Sequence, residues 1–77
     1  MEWLTKDNKL VKEFIFKDFT EAFAFLTKVA IIAEKQNHHP EIYNVYNKVI
    51  ISLQTHDAGN IVTEKDHKLA KAIDAFV

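Results

Sequence analysis

Polar and apolar residues change period several times along this chain, and each change marks an element. Residues 9 to 17, KLVKEFIFK, are rich in β-branched and aromatic side chains and roughly alternate, which predicts a strand. The WLT run before it, separated by the turn-favouring KDN, is placed to pair with it as the first arm of a hairpin. Past Asp18, a suitable N-cap, the period lengthens. In FTEAFAFLTKVAIIAEKQN the residues Phe19, Phe23, Leu26, Ala30 and Ala33 recur at helical spacing. Phe25, Val29 and Ile32 widen that stripe to about half the circumference, more than the ~100° arc of a simple surface helix. Two readings of this flank stand side by side: a deeply buried core helix, or a second face that packs on another subunit.

The helix is expected to end near Asn37, because Pro40 disfavours helical backbone at His39 before it. EIYNVYN and KVIISLQTH both read as strands, with the reversal at Asn47 and Lys48. Along the second, Val49, Ile51, Leu53 and Thr55 face one way, and Ile50, Ser52, Gln54 and His56 the other. The apolar row suits a sheet face covered by helices; the more polar row suits an open face and ends at His56. DAGN holds the only glycine and reads as a turn. TEKDHKLAKAIDAF then forms a closing helix, with Thr63 and Asp66 spaced as a capping box and Leu69, Ile73 and Phe76 as its core stripe. The order ββαββα predicts an α+β fold: a four-stranded antiparallel sheet with two helices packed on one face.

Seventy-seven residues make one domain, residues 1–77, with one small core. Such cores are marginal without disulfides, a metal or partner subunits, and the chain has no cysteine. A homodimer or homotetramer is therefore expected. An apolar content of 48% argues for a folded chain. Ten basic against eleven acidic residues leave a formal charge of −1, which disfavours direct nucleic-acid binding, usually marked by a basic stripe. No segment approaches the ~18 consecutive apolar residues of a membrane span. The N-terminus lacks the pattern of a signal peptide, which makes a cytoplasmic location the default expectation.

Three of the four histidines fall between positions 38 and 56. His38 and His39 sit just past a helix end and His56 at a strand end, edges that a two-layer fold can bring together. Imidazole titrates near pH 6.5, so a reaction needing one proton delivered and another removed could use two of these rings. An adjacent pair in a loop is also what ordinary solvated surface presents. Histidines with Asp57 or Glu34 would suit zinc or iron, but their spacing matches no standard ligand motif, and no metal is expected. His67, among Lys65, Asp66 and Lys68, reads as a solvated helix face. With one glycine there is no phosphate-cradling loop. With no cysteine and a single serine inside a strand, a nucleophilic triad is excluded as the leading reading.

The stretch EKQNHHPEIYNVYNKVIISLQTHDAGNIVTEKD resembles the signature region of the pterin-4a-carbinolamine dehydratases. That region combines an acidic residue, three intervening residues, His-His-Pro, an aromatic-rich NVYNKV strand, a Thr-His-acid turn and an Asp opening the last helix. FIFKDFTEAFAFLTKVAIIAE is similar to the family's strand and long helix, so the resemblance covers nearly the whole chain. Ile42 and Tyr43 stand where the family commonly has Trp-Phe, Ile50 replaces a frequent histidine, and AGNIVTEKD is one residue longer than the commonest turn. Many members carry a helix ahead of the Trp3 position, and the resemblance leads to the expectation of a short form without it. The resemblance implies dehydration of a 4a-hydroxytetrahydropterin to a quinonoid dihydropterin, recycling the cofactor spent by an aromatic amino-acid hydroxylase in the same pathway. The pterin is then the substrate, and no cofactor is expected. The motif places His38, His39 and His56 in the active site, with His38 and His56 as the proton-transfer pair and His39 positioning the pterin. Asn37, Thr55 and Asp57 become further substrate contacts, and Glu34 an orienting partner of one histidine. Asp66 is expected as a helix cap rather than a catalytic acid. The alternative from another class is a non-catalytic binding module, a dimerisation cofactor of a homeodomain transcription factor that docks through its helix face.

Overall fold

The computed structural model describes residues 2 to 77. Asp7 and Asn8 both adopt left-handed backbone, φ 52° and 62°, which their short polar side chains tolerate. This pair closes a two-residue hairpin between β1 (Leu4–Lys6) and β2 (Lys9–Ile15), with Lys6 opposite Lys9. The chain then enters α1 (Phe19–Gln36), capped by the Asp18 side chain accepting from the Glu21 N–H. β3 (Glu41–Val45) and β4 (Lys48–Leu53) follow as a second hairpin, then a 3₁₀ turn (His56–Ala58) and α2 (Glu64–Asp74). The antiparallel sheet has the order β1-β2-β4-β3, as the ββαββα pattern predicts.

Register decides which side chains meet. Leu10 lies opposite Leu53, Lys12 opposite Ile51 and Phe14 opposite Val49, so one sheet face carries nearly all the buried apolar residues. Against it pack Ala22, Phe25, Leu26, Val29 and Ala33 of α1, and Leu69, Ala70 and Ile73 of α2. Both helices thus share one core on one side of the sheet. Phe76 packs on its border. The rows assigned along β4 hold: Val49, Ile51, Leu53 and Thr55 are buried, whereas Ile50, Ser52 and Gln54 are half-buried on the open side.

Three local expectations are corrected. The buried stripe of α1 is rotated by roughly 60° from the one its apolar spacing suggests, taking 100° per residue. Phe25 and Val29 belong to the core, while Phe19, Phe23 and Ala30 are exposed on the other flank. With apolar residues over half the circumference, periodicity cannot say which edge faces the sheet. The second reversal falls at Tyr46 and Asn47, one residue early, because Lys48 already pairs with Val45. Asn47 is instead tied to the end of β2: its side chain donates to the Phe16 carbonyl, and its own carbonyl accepts the Phe16 N–H, each at 2.9 Å. Finally, β2 stops at Ile15 rather than Lys17, and β4 at Leu53; Thr55 makes only an isolated bridge with Ile61. No described helix is long and apolar enough to cross a membrane.

Candidate active site

The end of α1 aims the first histidines. Asn37 sits in left-handed conformation, φ 52°, its N–H donating to the Glu34 carbonyl at 3.1 Å, while the His38 N–H reaches back to the Ala33 carbonyl at 3.0 Å. These two bonds form a Schellman motif, which satisfies the helix's last carbonyls and turns the chain sharply away from the axis. His38 is thereby swung towards the start of α2, and His39, held extended by Pro40, towards solvent. His56 arrives from the opposite direction, at the first position of the 3₁₀ turn after β4. The three histidines line one cavity of about 260 Å³, together with Asn37, Gln54, Thr55, Asp57 and Lys65.

Each ring is held by a different partner. His38 Nε2 lies 2.5 Å from Asp66 Oδ1, and the His38 side chain is 12% exposed. His39 Nε2 lies 2.8 Å from Glu34 Oε1 at the surface. His56 Nδ1 lies 2.8 Å from Asn60 Oδ1. Carboxylates offer no proton, so His38 and His39 each donate from Nε2, leaving Nδ1 to face other groups.

Asp66 is the pivot of this arrangement and is fully buried. Its Oδ1 accepts a hydrogen bond from His38 Nε2–H, and its Oδ2 accepts from both the Thr55 hydroxyl and the Thr63 N–H, each at 2.8 Å. Because Thr55 spends its only proton on Asp66, the 2.6 Å contact between the two threonine hydroxyls runs from Thr63 to Thr55. Burial pushes the Asp66 carboxyl up, but hydrogen bonds from His38, the Thr63 backbone and Thr55, with the charge of His38, outweigh it and hold the group below its ordinary value. Asp66 is therefore ionised. The expected capping box is present, since Asp66 reaches back to the Thr63 N–H; the same carboxylate also orients His38.

Of the residues singled out in the sequence, Asn37, His38, His39, Thr55, His56 and Asp57 all line this cavity, and Glu34 holds His39 from outside it. His67 lies elsewhere, beside Trp3 and Lys71. Sequence reasoning missed Gln54 and Lys65 as lining residues, Asn60 as the partner of His56, and the second contact of Asp66. Alternation does put Gln54 on the row ending at His56, but nothing in the spacing pairs positions 28 residues apart. Among the described residues, no group of three or more histidine, aspartate or glutamate side chains is arranged to hold a metal ion.

The family model described as pterin 4 alpha carbinolamine dehydratase matches residues 1–76. The chain belongs to this family. A Prochlorococcus marinus protein, provisionally named a pterin-4-alpha-carbinolamine dehydratase, is 59% identical over 74 residues, covering 96% of this chain and 76% of the relative. A Solibacter usitatus protein with the same provisional name is 52% identical, over 96% of this chain and 77% of its own. The crystal structure of a transcriptional coactivator/pterin dehydratase from Brucella melitensis superposes with a TM-score of 0.90 at 44% identity, covering 95% of this chain and 79% of that one. A pterin dehydratase-like protein identified as a RuBisCO assembly factor in the alpha-carboxysome shares the fold at TM-score 0.82 and 27% identity, over 97% and 88% of the two chains. These two structural neighbours, then, share one architecture and are described by different roles.

Proposed function

We propose that this chain dehydrates pterin-4a-carbinolamine by histidine acid–base catalysis, returning a quinonoid dihydropterin for reduction to the tetrahydropterin. The observation that carries the reading is the convergence of His38, His39 and His56 on one small cavity in a chain of the dehydratase family. In the substrate, C4a bears a hydroxyl beside N5–H. As the lone pair of N5 forms the C4a=N5 bond, the C4a–O bond breaks. One imidazole delivers a proton to the departing hydroxyl, which leaves as water, and another removes the N5 proton. Atoms and charge balance without a metal or covalent intermediate, and each proton transfer typically contributes about 10²- to 10⁴-fold. His38 and His56 form the transferring pair, with His39 placing the ring system; Asn37, Thr55 and Asp57 are candidate contacts. The cavity, about 260 Å³, lies just below the usual range of ligand pockets, so it suits nothing larger than a compact bicycle.

Dehydration of synthetic carbinolamine, followed by absorbance, tests this. The unmutated protein is expected to accelerate the reaction, and His38→Ala and His56→Ala each to lower kcat by about 10²-fold or more. No acceleration over buffer by the unmutated protein would sink the enzyme reading; full activity in both variants would sink the residue assignment.

A second reading, docking of a partner protein, is favoured by one observation. Phe23, Leu26, Thr27, Ala30 and Ile42 line an apolar groove of about 340 Å³ between α1 and β3. Support for this reading comes from two structural neighbours, one described as a transcriptional coactivator/pterin dehydratase and one as a RuBisCO assembly factor. The groove and the histidine cavity have no lining residue in common.

A further inference from the structure

His56 differs from the other two histidines in what holds it. His38 and His39 each present Nε2 to a carboxylate, whereas His56 is held through Nδ1 by the side-chain carbonyl of Asn60. A carbonyl oxygen only accepts, so this contact requires the proton on Nδ1 and leaves the lone pair on Nε2. Asp66 and Glu34 are counter-charges available to His38 and His39 when those rings carry two protons; the group bonded to His56 is neutral.

The position of that carbonyl is built into the loop. Gly59, at φ 89°, donates its N–H to the His56 carbonyl at 3.0 Å and ends the 3₁₀ turn. Asn60 follows in left-handed conformation at φ 61°. Its N–H donates to the Thr55 carbonyl at 3.1 Å, and its carbonyl accepts from the Gln54 side chain at 2.9 Å. The next residue closes the loop, since the Thr55 N–H donates to the Ile61 carbonyl at 2.9 Å. With its backbone held on both sides, Asn60 offers a fixed acceptor four residues from His56. Asparagine suits the position twice over: it tolerates left-handed backbone and supplies the oxygen.

We infer that Asn60 is the positioning residue of His56, fixing the Nδ1–H tautomer so that the bare Nε2 is the base that takes the N5 proton of the pterin. This rests on the dehydratase reading, and it separates the transferring pair: His56 accepts the N5 proton, and His38, backed by ionised Asp66, protonates the leaving hydroxyl from Nδ1. The other charged groups lining the cavity are Asp57 and Lys65, and neither is hydrogen-bonded to a ring nitrogen of His56.

The test uses the whole chain, labelled with ¹⁵N-histidine, and two variants. Asn60→Gly keeps the left-handed backbone and removes the acceptor; Asn60→Asp keeps an acceptor oxygen. In the unmutated protein with the His56 ring neutral, Nδ1 is expected to show the shift of a protonated ring nitrogen and Nε2 that of an unprotonated one. Asn60→Gly is expected to mix the two tautomers and lower kcat about three- to tenfold, the worth of one hydrogen bond, with KM unchanged. Asn60→Asp is expected to restore the Nδ1–H tautomer and, by placing a carboxylate beside the ring, to move the acidic limb of the pH–rate profile to higher pH, which a merely structural residue would leave in place. An Nε2–H tautomer in the unmutated protein overturns the inference, as does an Asn60→Gly protein with both tautomer and kcat unchanged. Lack of catalysis by the unmutated protein overturns the dehydratase reading instead, while the nitrogen shifts still judge the Asn60 contact by themselves.

Discussion

Asp66 ties three parts of the fold together. It caps α2, accepts from a threonine on the β4 side, and fixes one ring nitrogen of His38. Its pKa is lowered on folding, and the sign of the linkage follows. A carboxyl that titrates below its unfolded value of 3.8 adds stability at every pH above that value, and the contribution is lost as pH falls through the folded-state pKa. Thermal melts are therefore expected to show the unmutated protein weakening steeply as pH drops below about 3.8, and Asp66→Asn showing a shallower acid limb. Equal slopes in the two proteins would remove Asp66 as the cause. At neutral pH, Asp66→Ala is expected to cost about 3–5 kcal/mol, since it strands buried donors that had a charged partner. That is a large share of what a domain of this size has. The threonine pair and His38 would lose their common acceptor together, so activity and stability are expected to fall in the same variant.

At the scale of elements, the site is an outcome of how helices stop and start. The Schellman turn at Asn37 ends α1 and launches His38; the capping box at Thr63 starts α2 and places Asp66 to receive it. Left-handed backbone at Asn37 makes a direct prediction. Asn37→Gly is expected to leave urea stability unchanged or slightly raised, whereas Asn37→Val, a β-branched residue forced to positive φ, is expected to cost about 1–3 kcal/mol and to lower activity by displacing both histidines. Equal denaturation midpoints for the two variants would mean that the helix end does not set the geometry. Much of this was legible beforehand, because caps are local: Asp18, Asn37 with Pro40, and Thr63 with Asp66 each act within a few residues. The strand pattern from Val49 to Thr55 was equally readable, since strict alternation leaves only one choice of faces. What could not be read was long-range or rotational. No local rule couples His38 to Asp66 or tells which edge of a broadly apolar α1 faces the sheet. Asn60 escaped notice for a further reason, since as a turn residue it is already accounted for by its backbone.

At the scale of the whole molecule, the outer flank of α1 is left without a partner. Phe19 and Phe23 lie side by side with tilted rings, 5.6 Å between centroids, and Phe23 is 54% exposed beside Ala30 and Ile42. Ile31, further round the same helix, is 67% exposed. Single exposed apolar residues need no explanation, but a contiguous run along one helix beside an apolar groove marks an interaction surface. A chain of 77 residues gains little from its own core, and covering this flank with a second copy is the most direct way to enlarge it. The groove on this flank shares no lining residue with the histidine cavity. Sedimentation is accordingly expected to find dimers or tetramers at micromolar concentration, with a melting temperature that rises with protein concentration. Phe23→Glu places a charge in the middle of the surface and is expected to give a monomer with a lower, concentration-independent melting temperature. Its three histidines would keep their partners, and turnover per chain is expected to persist wherever the monomer stays folded. A stable monomer from the unmutated chain would instead leave this surface to a different protein, and the coactivator-like reading would then gain over self-association.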